Sequence, residues 1–206
     1  MQQQATNPSV EAASAMTRLL NLMKRSTYAF PLVGFFAVSL VMIITTDNFL
    51  SADNFMNIAR QVSINAIIAI GMTCAILTGG IDLSVGAVMA LSGTLMAGMM
   101  VGGMPPAAAI PLSLCVGLAF GLFNGFFVAY AGMPPIIVTL ATMGIARGIA
   151  LIYTGGYPID GLPEMFAFFG RGSVLGIQTP IITMFIFYIL AYLLLDHTPI
   201  GRYIYA

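Results

Sequence analysis

Long apolar runs alternate along the chain with short breaks rich in glycine and proline. Six of these runs carry few or no charges and are close to the roughly 20 residues that a membrane-spanning helix needs. They cover residues 28–46, 62–78, 83–102, 107–130, 136–153 and 181–195. This pattern predicts an all-α fold, a polytopic transmembrane helix bundle of about six spans.

The residues ahead of the first run indicate how the bundle is oriented. Residues 1–27 are polar and place Arg18, Lys24 and Arg25 just before the first span. Basic residues beside a first span favour a cytoplasmic N-terminus. We therefore expect a cytoplasmic segment over residues 1–27 and a multi-pass transmembrane domain over residues 28–206.

Two longer polar segments separate the predicted spans. In residues 47–61, Ser51 is a candidate N-cap for a short helix at the membrane interface. Counting crossings from a cytoplasmic N-terminus places residues 154–180 outside the cell and the last residues inside.

Composition supports a membrane location and excludes one class of partner. Hydrophobic residues make up 59% of the chain, against roughly 45–50% in soluble domains. Seven basic residues balance seven acidic ones, so there is no basic surface for nucleic acid. We expect membrane lipid as the surrounding medium and no nucleic-acid partner.

The sequence lacks the motifs of the common enzyme classes. There is no phosphate-binding G-x-x-x-x-G-K-[ST] loop, and Lys24 is the only lysine. There is also no H-E-x-x-H, C-x-x-C or G-x-S-x-G. Cys74 and Cys115 lie in apolar runs and are interpreted as packing residues, and His197 is the only histidine. We expect no enzyme activity, no cofactor and no metal site, so any ATP must be hydrolysed by a partner.

Small residues recur at every fourth position in several runs. This spacing lets the backbones of two helices approach closely and predicts tight packing, although it is common in membrane helices of every function. The residues are Gly117, Gly121 and Gly125, Gly144 and Gly148, and Gly98 and Gly102.

Asp82 is an aspartate in an otherwise apolar region, where a carboxylate is costly without a partner or a duty. Gly79 and Gly80 end the preceding helix, and Asp82 with Ser84 comes just before the next. The carboxylate can therefore cap that helix by accepting hydrogen bonds from its first N–H groups. The alternative is a broken or re-entrant element near Gly79 to Gly86 that lines a polar pathway. The two interpretations are compatible.

Three other polar residues lie inside apolar runs and have two interpretations each. Arg147 is either a snorkelling or structurally paired arginine or a functional one that faces a cavity. Asn65 and Asn124 are either hydrogen-bonding contacts between helices or part of a pathway.

Three stretches carry a resemblance to a known family. Residues 51–93, which include GIDLSVG and an upstream N-I-x-x-Q-x-S-x-N, residues 133–159 and residues 197–206, ending in GRYIYA, closely resemble the membrane permease of ribose-type sugar ABC importers. The likeness runs from about Phe49 onward. Of these features, GIDLSVG joined to the upstream motif is the most specific.

The resemblance implies a permease subunit in the bacterial inner (plasma) membrane. Such a subunit pairs with a second permease copy, binds a cytoplasmic ABC ATPase and receives a monosaccharide such as ribose from a periplasmic sugar-binding protein. The resemblance makes GIDLSVG, with Asp82 and Ser84, the family's signature segment near the translocation path, and it assigns docking of the binding protein to Asp160, Glu164 and Arg171. Asn65, Asn124 and Arg147 are further candidates for the path because they are polar residues inside apolar runs.

Family members continue past the equivalent of Ala206 into a segment that contacts the ATPase and then into further spans. The resemblance therefore implies truncation at the C-terminal end, through either a shortened polypeptide or a longer reading frame. One alternative is a truncated, non-transporting membrane partner of a longer permease. Another is an ion-coupled secondary carrier, which should show paired intramembrane charges and an internal repeat.

Overall fold

The computed structural model describes residues 28–206, and the predicted cytoplasmic segment 1–27 lies outside the described residues. The described part is mainly helical, with one short antiparallel hairpin of strands β1 (Ser173–Val174) and β2 (Ile177–Gln178). The helices are α1 (Ala29–Thr45), α2 (Ala52–Leu77), α3 (Val85–Val101), α4 (Pro106–Ala129), α5 (Pro135–Thr154), α6 (Glu164–Arg171), α7 (Thr179–His197) and α8 (Pro199–Tyr205).

Each of the six predicted spans coincides with one apolar helix. Four helices, α2, α4, α5 and α7, are long and apolar enough to cross a membrane. Helices α1 and α3 are apolar but have 17 residues each, a length of about 25 Å. The predicted all-α membrane bundle is confirmed.

Helix α2 begins where the sequence predicts a cap but runs much further than expected. The Ser51 Oγ accepts a hydrogen bond from the N–H of Asn54 at 3.2 Å, as an N-cap does. No glycine or proline follows until Gly71, so nothing interrupts the helical hydrogen bonds. The predicted short interfacial helix is therefore the first part of α2.

The end of α2 is defined by a glycine with positive φ. Gly79 has φ +79°, a conformation that glycine adopts without the strain of a side chain. The N–H of Gly80 donates to the Ala75 carbonyl at 2.9 Å, and that of Gly79 donates to the Ile76 carbonyl at 3.0 Å. These two bonds form a Schellman motif, which turns the chain sharply out of the helix before α3.

The described residues fall into two compact units divided after Phe55, and the features below lie within the second. In this unit α3 packs against both α4 and α5. The core between them contains Leu91 of α3, which is 1% exposed, with Ala146 and Ala150 of α5. Ala146 and Ala150 allow α3 and α5 to approach closely, which fixes the position of α3.

Residues 154–180 contain structure that periodicity did not predict. Helix α6 and the β1–β2 hairpin both lie in this segment, and α7 follows the hairpin directly.

At the other end of α7, Gly201 of α8 lies so close to the Leu195 backbone that a side chain would overlap it. The Thr198 Oγ1 accepts the N–H of Gly201 at 3.4 Å and so caps α8.

Candidate functional site

The turn before α3, residues 79–84, is held by a chain of polar side chains. One carboxylate oxygen of Asp82, Oδ1, accepts hydrogen bonds from the Ser84 N–H at 2.8 Å and from the Ser84 hydroxyl at 2.6 Å. The Asn124 Nδ2 of α4 donates to the same hydroxyl oxygen at 3.1 Å. Ser84 therefore donates to Asp82 and accepts from Asn124, which fixes the direction of every bond in the chain.

The role of Asp82 differs in detail from a helix cap. Helix α3 starts at Val85 with Ser84 as its N-cap, so Asp82 lies two residues before the cap. Its carboxylate accepts the Ser84 N–H, whereas a cap accepts an N–H of the first helical turn. This bond, from the N–H two residues further on, forms an Asx turn. Asp82 therefore orders the turn that leads into α3.

The same turn is also fixed to α5. The Thr139 hydroxyl lies within hydrogen-bonding distance of the Ile81 carbonyl at 3.2 Å and of the Pro135 carbonyl at 2.8 Å. Gly80 packs beside Pro135, since an added Cβ would lie 3.7 Å from the proline Cβ. The start of α3 is therefore hydrogen-bonded to α4 through Asn124, and it lies against α5 at Thr139 and Pro135.

Asn124 keeps one polar atom without a partner. Its side chain is 7% exposed, and its Oδ1 is buried with no hydrogen-bond donor among the described residues. The amide cannot simply be reversed, because the Ser84 hydroxyl already donates to Asp82 and needs a donor from Asn124. The orientation of the Asn124 amide is therefore set by its hydrogen bond to Ser84.

A cleft of about 790 Å³ lies between α3, α5 and the loop that follows α5. The α3 side of the cleft is a stripe of small residues at helical spacing. Its members are Gly86, Ala87, Ala90, Gly93, Thr94 and Ala97. Because these side chains are short, they leave room for a cleft beside the contact between the two helices.

Arg147 of α5 lines this cleft and is exposed. Among the described residues that line the cleft it is the one charged side chain, and the polar side chains around the same space are Thr94, Thr154 and Tyr157. Of the two interpretations of Arg147, this position favours an arginine that faces a cavity.

The predicted path residues do not form a single cluster. Asp82, Ser84 and Asn124 are joined by hydrogen bonds, whereas Arg147 lies in the cleft, whose lining includes the neighbouring Leu83 and Gly86. Asn65 is exposed on α2 and has no hydrogen bond with the Asp82 group in the described structure.

Two features of the site were missed by the sequence reasoning. The spacing of Gly86, Ala90, Gly93 and Ala97 was a signal for the open face of α3, but only the glycine pairs were considered. Thr139 gave no signal, because its partner Ile81 is 58 residues away in the sequence.

The remaining candidates lie on surfaces of the described chain. Asp160, Glu164 and Arg171 are all exposed in residues 154–180. A Cβ added at Gly117 would lie 3.7 Å from the Ser92 Oγ, so this glycine faces α3. A Cβ added at Gly98 would overlap the Tyr153 ring of α5, so this glycine faces α5, whereas Gly102 has only backbone of its own helix nearby. Four predicted packing glycines have open space around them, and close contacts there stay a prediction; they are Gly121, Gly125, Gly144 and Gly148.

Apolar spanning helices around a cleft with one charged side chain are features of a membrane transport domain. The family described as "Branched-chain amino acid transport system / permease component" matches residues 54–206. The match covers well over half of the chain, so the protein belongs to this family of permease components.

Its relatives include permeases named for sugars. The ribose import permease protein RbsC of Bacillus subtilis is 48% identical over 178 residues, which are 85% of this chain and 55% of that protein. RbsC of Haemophilus influenzae is 46% identical, over 82% of this chain and 53% of its own length. The D-allose transport system permease protein AlsC of Escherichia coli is 37% identical, over 84% of this chain and 54% of its own length.

The chain thus spans about half the length of the curated relatives that it matches. No solved structure matches it at a significant level.

Proposed function

We propose that the protein is the membrane permease subunit of an ABC importer for a monosaccharide, with ribose as the first candidate. The choice of ribose is supported by the greater identity to two proteins named as ribose import permeases than to the one named for D-allose. The observation that carries the proposal is the cleft between α3 and α5, whose lining we assign to one wall of the sugar path.

The lining of the cleft suits a small neutral polyol. The stripe on α3 leaves room for a ring, and the polar side chains Arg147, Thr94, Thr154 and Tyr157 are few and separate, as in sites that orient a ligand by a small number of hydrogen bonds. Sugar hydroxyls accept hydrogen bonds from a guanidinium, whereas a cation would be repelled by it. The lining contains no carboxylate among the described residues, which gives an ion-coupled carrier little support.

The Asp82 group serves this path indirectly in our proposal. By fixing the turn at residues 79–84 to α4 and α5, it sets the position of the start of α3 and therefore of Gly86 and the rest of the stripe. Asp82 and Asn124 are then positioning residues for the wall of the path.

Energy for transport would come from a cytoplasmic ABC ATPase, as the resemblance to the permeases of sugar ABC importers implies. A second permease copy would pack against the glycines that have open space around them, and a periplasmic sugar-binding protein would contact the exposed charges. Those charges are Asp160, Glu164 and Arg171. In this proposal the protein lies in the bacterial inner membrane with its N-terminus in the cytoplasm.

The test is uptake of labelled ribose into lipid vesicles that contain the protein and its ATPase, with the sugar-binding protein added outside. We expect uptake that requires ATP and all three components. Uptake that follows an ion gradient without the ATPase would identify a secondary carrier. Absence of uptake, together with co-purification of a longer permease, would identify a non-transporting partner.

A further inference from the structure

Helix α6 carries an exposed apolar face. Met165, Phe168 and Phe169 follow the i, i+3, i+4 spacing of one helical face, and they are 77%, 44% and 57% exposed. Phe166 is half-buried on another side of the helix, and α6 packs against α7. The helix is thus held to a predicted span while three large apolar side chains face away from the protein.

The hairpin that follows exposes a further apolar side chain at its tip. Leu175 is 99% exposed, and its φ of +52° lies in the left-handed region that is unfavourable for a leucine. Gly176 follows with φ +81°, so both central residues have positive φ, as in the type I′ turns that prefer asparagine, aspartate or glycine. Neither the turn nor contact with the rest of the described chain explains a leucine at this position.

The chain connection places these side chains at a membrane surface. Helix α5 ends at Thr154 and α7 begins at Thr179, directly after β2, and both helices are candidate spans. The N–H of Thr179 donates to the Gly172 carbonyl at 3.0 Å, which holds the hairpin beside the first residue of α7.

We propose that α6 and the hairpin of residues 173–178 form an interfacial anchor, whose partner is the lipid at the membrane surface between the ends of α5 and α7. Phe169 and Leu175 would lie about 5–10 Å into the boundary between headgroups and acyl chains, as the apolar faces of interfacial helices do. The flanking charges are Glu164 and Arg171, which balance each other, so insertion would depend on apolar burial rather than on attraction to anionic lipid.

The sequence contains no tryptophan, so a single introduced indole reports its own surroundings. Phe169→Trp and Leu175→Trp would be placed separately in the full chain, in phosphatidylcholine vesicles with bromine atoms either near the headgroups or deep in the acyl chains. We expect emission at shorter wavelength than in water and the strongest quenching by the shallow bromines. Asp160→Trp, an exposed polar position on the same segment, is the matched control and should be solvated and unquenched.

The proposal would be overturned if the Phe169→Trp and Leu175→Trp probes were both quenched no more strongly than Asp160→Trp. Short-wavelength emission without quenching by either lipid would also overturn it, because a protein surface would then cover the probes. The measurement does not involve transport, so its failure leaves the proposed function untouched.

A further variant tests the tip by itself. Leu175→Asn suits the positive φ better than leucine and should leave the hairpin intact. In the Phe169→Trp protein it should weaken quenching of the indole by the shallow bromines. Unchanged quenching would refute the role of the tip in the anchor.

Discussion

Asp82 stabilises the start of α3 through a single carboxylate oxygen that accepts two hydrogen bonds from Ser84. The side chain is only half-buried, and both of its hydrogen bonds stay within the turn. Both hydrogen bonds require only an acceptor oxygen at the position of the Asp82 Oδ1. Asparagine offers the same oxygen without the charge.

We therefore expect Asp82→Asn to keep most of the stability and Asp82→Ala to lose about 1–2 kcal/mol, because alanine leaves the Ser84 N–H without its partner. Thermal unfolding of the purified protein in detergent measures both changes. If Asp82→Asn were as unstable as Asp82→Ala, the charge would be the stabilising feature. If it were fully stable but blocked sugar uptake at equal abundance, Asp82 would act in the path directly.

Ser84 and Asn124 are expected to be energetically coupled. Ser84→Ala removes the acceptor of the Asn124 Nδ2 and leaves that buried amide with no partner, which should cost about 1–3 kcal/mol. Asn124→Leu removes both polar atoms of the amide. The double variant should therefore be less destabilised than the sum of the two single ones, measured as a double-mutant cycle of thermal unfolding. Simple additivity would mean that the 3.1 Å bond contributes nothing.

At the scale of helices and strands, the sequence reasoning located all six apolar helices because glycine and proline mark their ends. Gly79 ends α2, and prolines begin α4 and α5. Polarity alone misplaced the start of the second span, since residues 52–61 are polar but helical and belong to α2. Helix α6 was missed because its eight residues, between glycines and prolines, are too few to show a clear period.

Helix α8 depends on a close backbone approach that only glycine permits. A Cβ at Gly201 would overlap the Leu195 carbonyl, and backbone atoms cannot move aside as a side chain can. Gly201→Ala should therefore displace α8 from the end of α7 and speed trypsin cleavage after Arg202. The rate is measured by intact mass in detergent, where both sides of the protein are accessible.

Gly170→Ala is the matched control, because this glycine also precedes an arginine and has open space around it. Alanine favours a helix by about 1 kcal/mol over glycine, so cleavage after Arg171 should stay the same or become slower. Faster cleavage in both variants, or in neither, would contradict the role of the Leu195 contact.

At the scale of the whole molecule, the site was only partly predictable, because its hydrogen bonds join residues that are near in the sequence in one case and far apart in another. Asp82 and Ser84 are two residues apart, and their relation was visible in the sequence. Ser84 and Asn124 are 40 residues apart, and the bond between them depends on how α3 packs against α4. The cleft depends on the separation of α3 and α5, a quantity that hydrophobic periodicity does not contain.

The central claim, that the α3–α5 cleft is a wall of the sugar path, is tested most directly by thiol labelling inside it. With the free cysteines Cys74 and Cys115 replaced by alanine, Ala90→Cys places a thiol in the cleft and Met89→Cys places one on another side of α3. A membrane-impermeant thiol reagent is applied to the protein in vesicles with its ATPase and sugar-binding protein, with and without excess ribose. We predict that Ala90→Cys reacts several-fold faster than Met89→Cys and that ribose slows only the cleft position. Equal rates at the two positions, or a rate at Ala90→Cys that ribose leaves unchanged, would contradict the account.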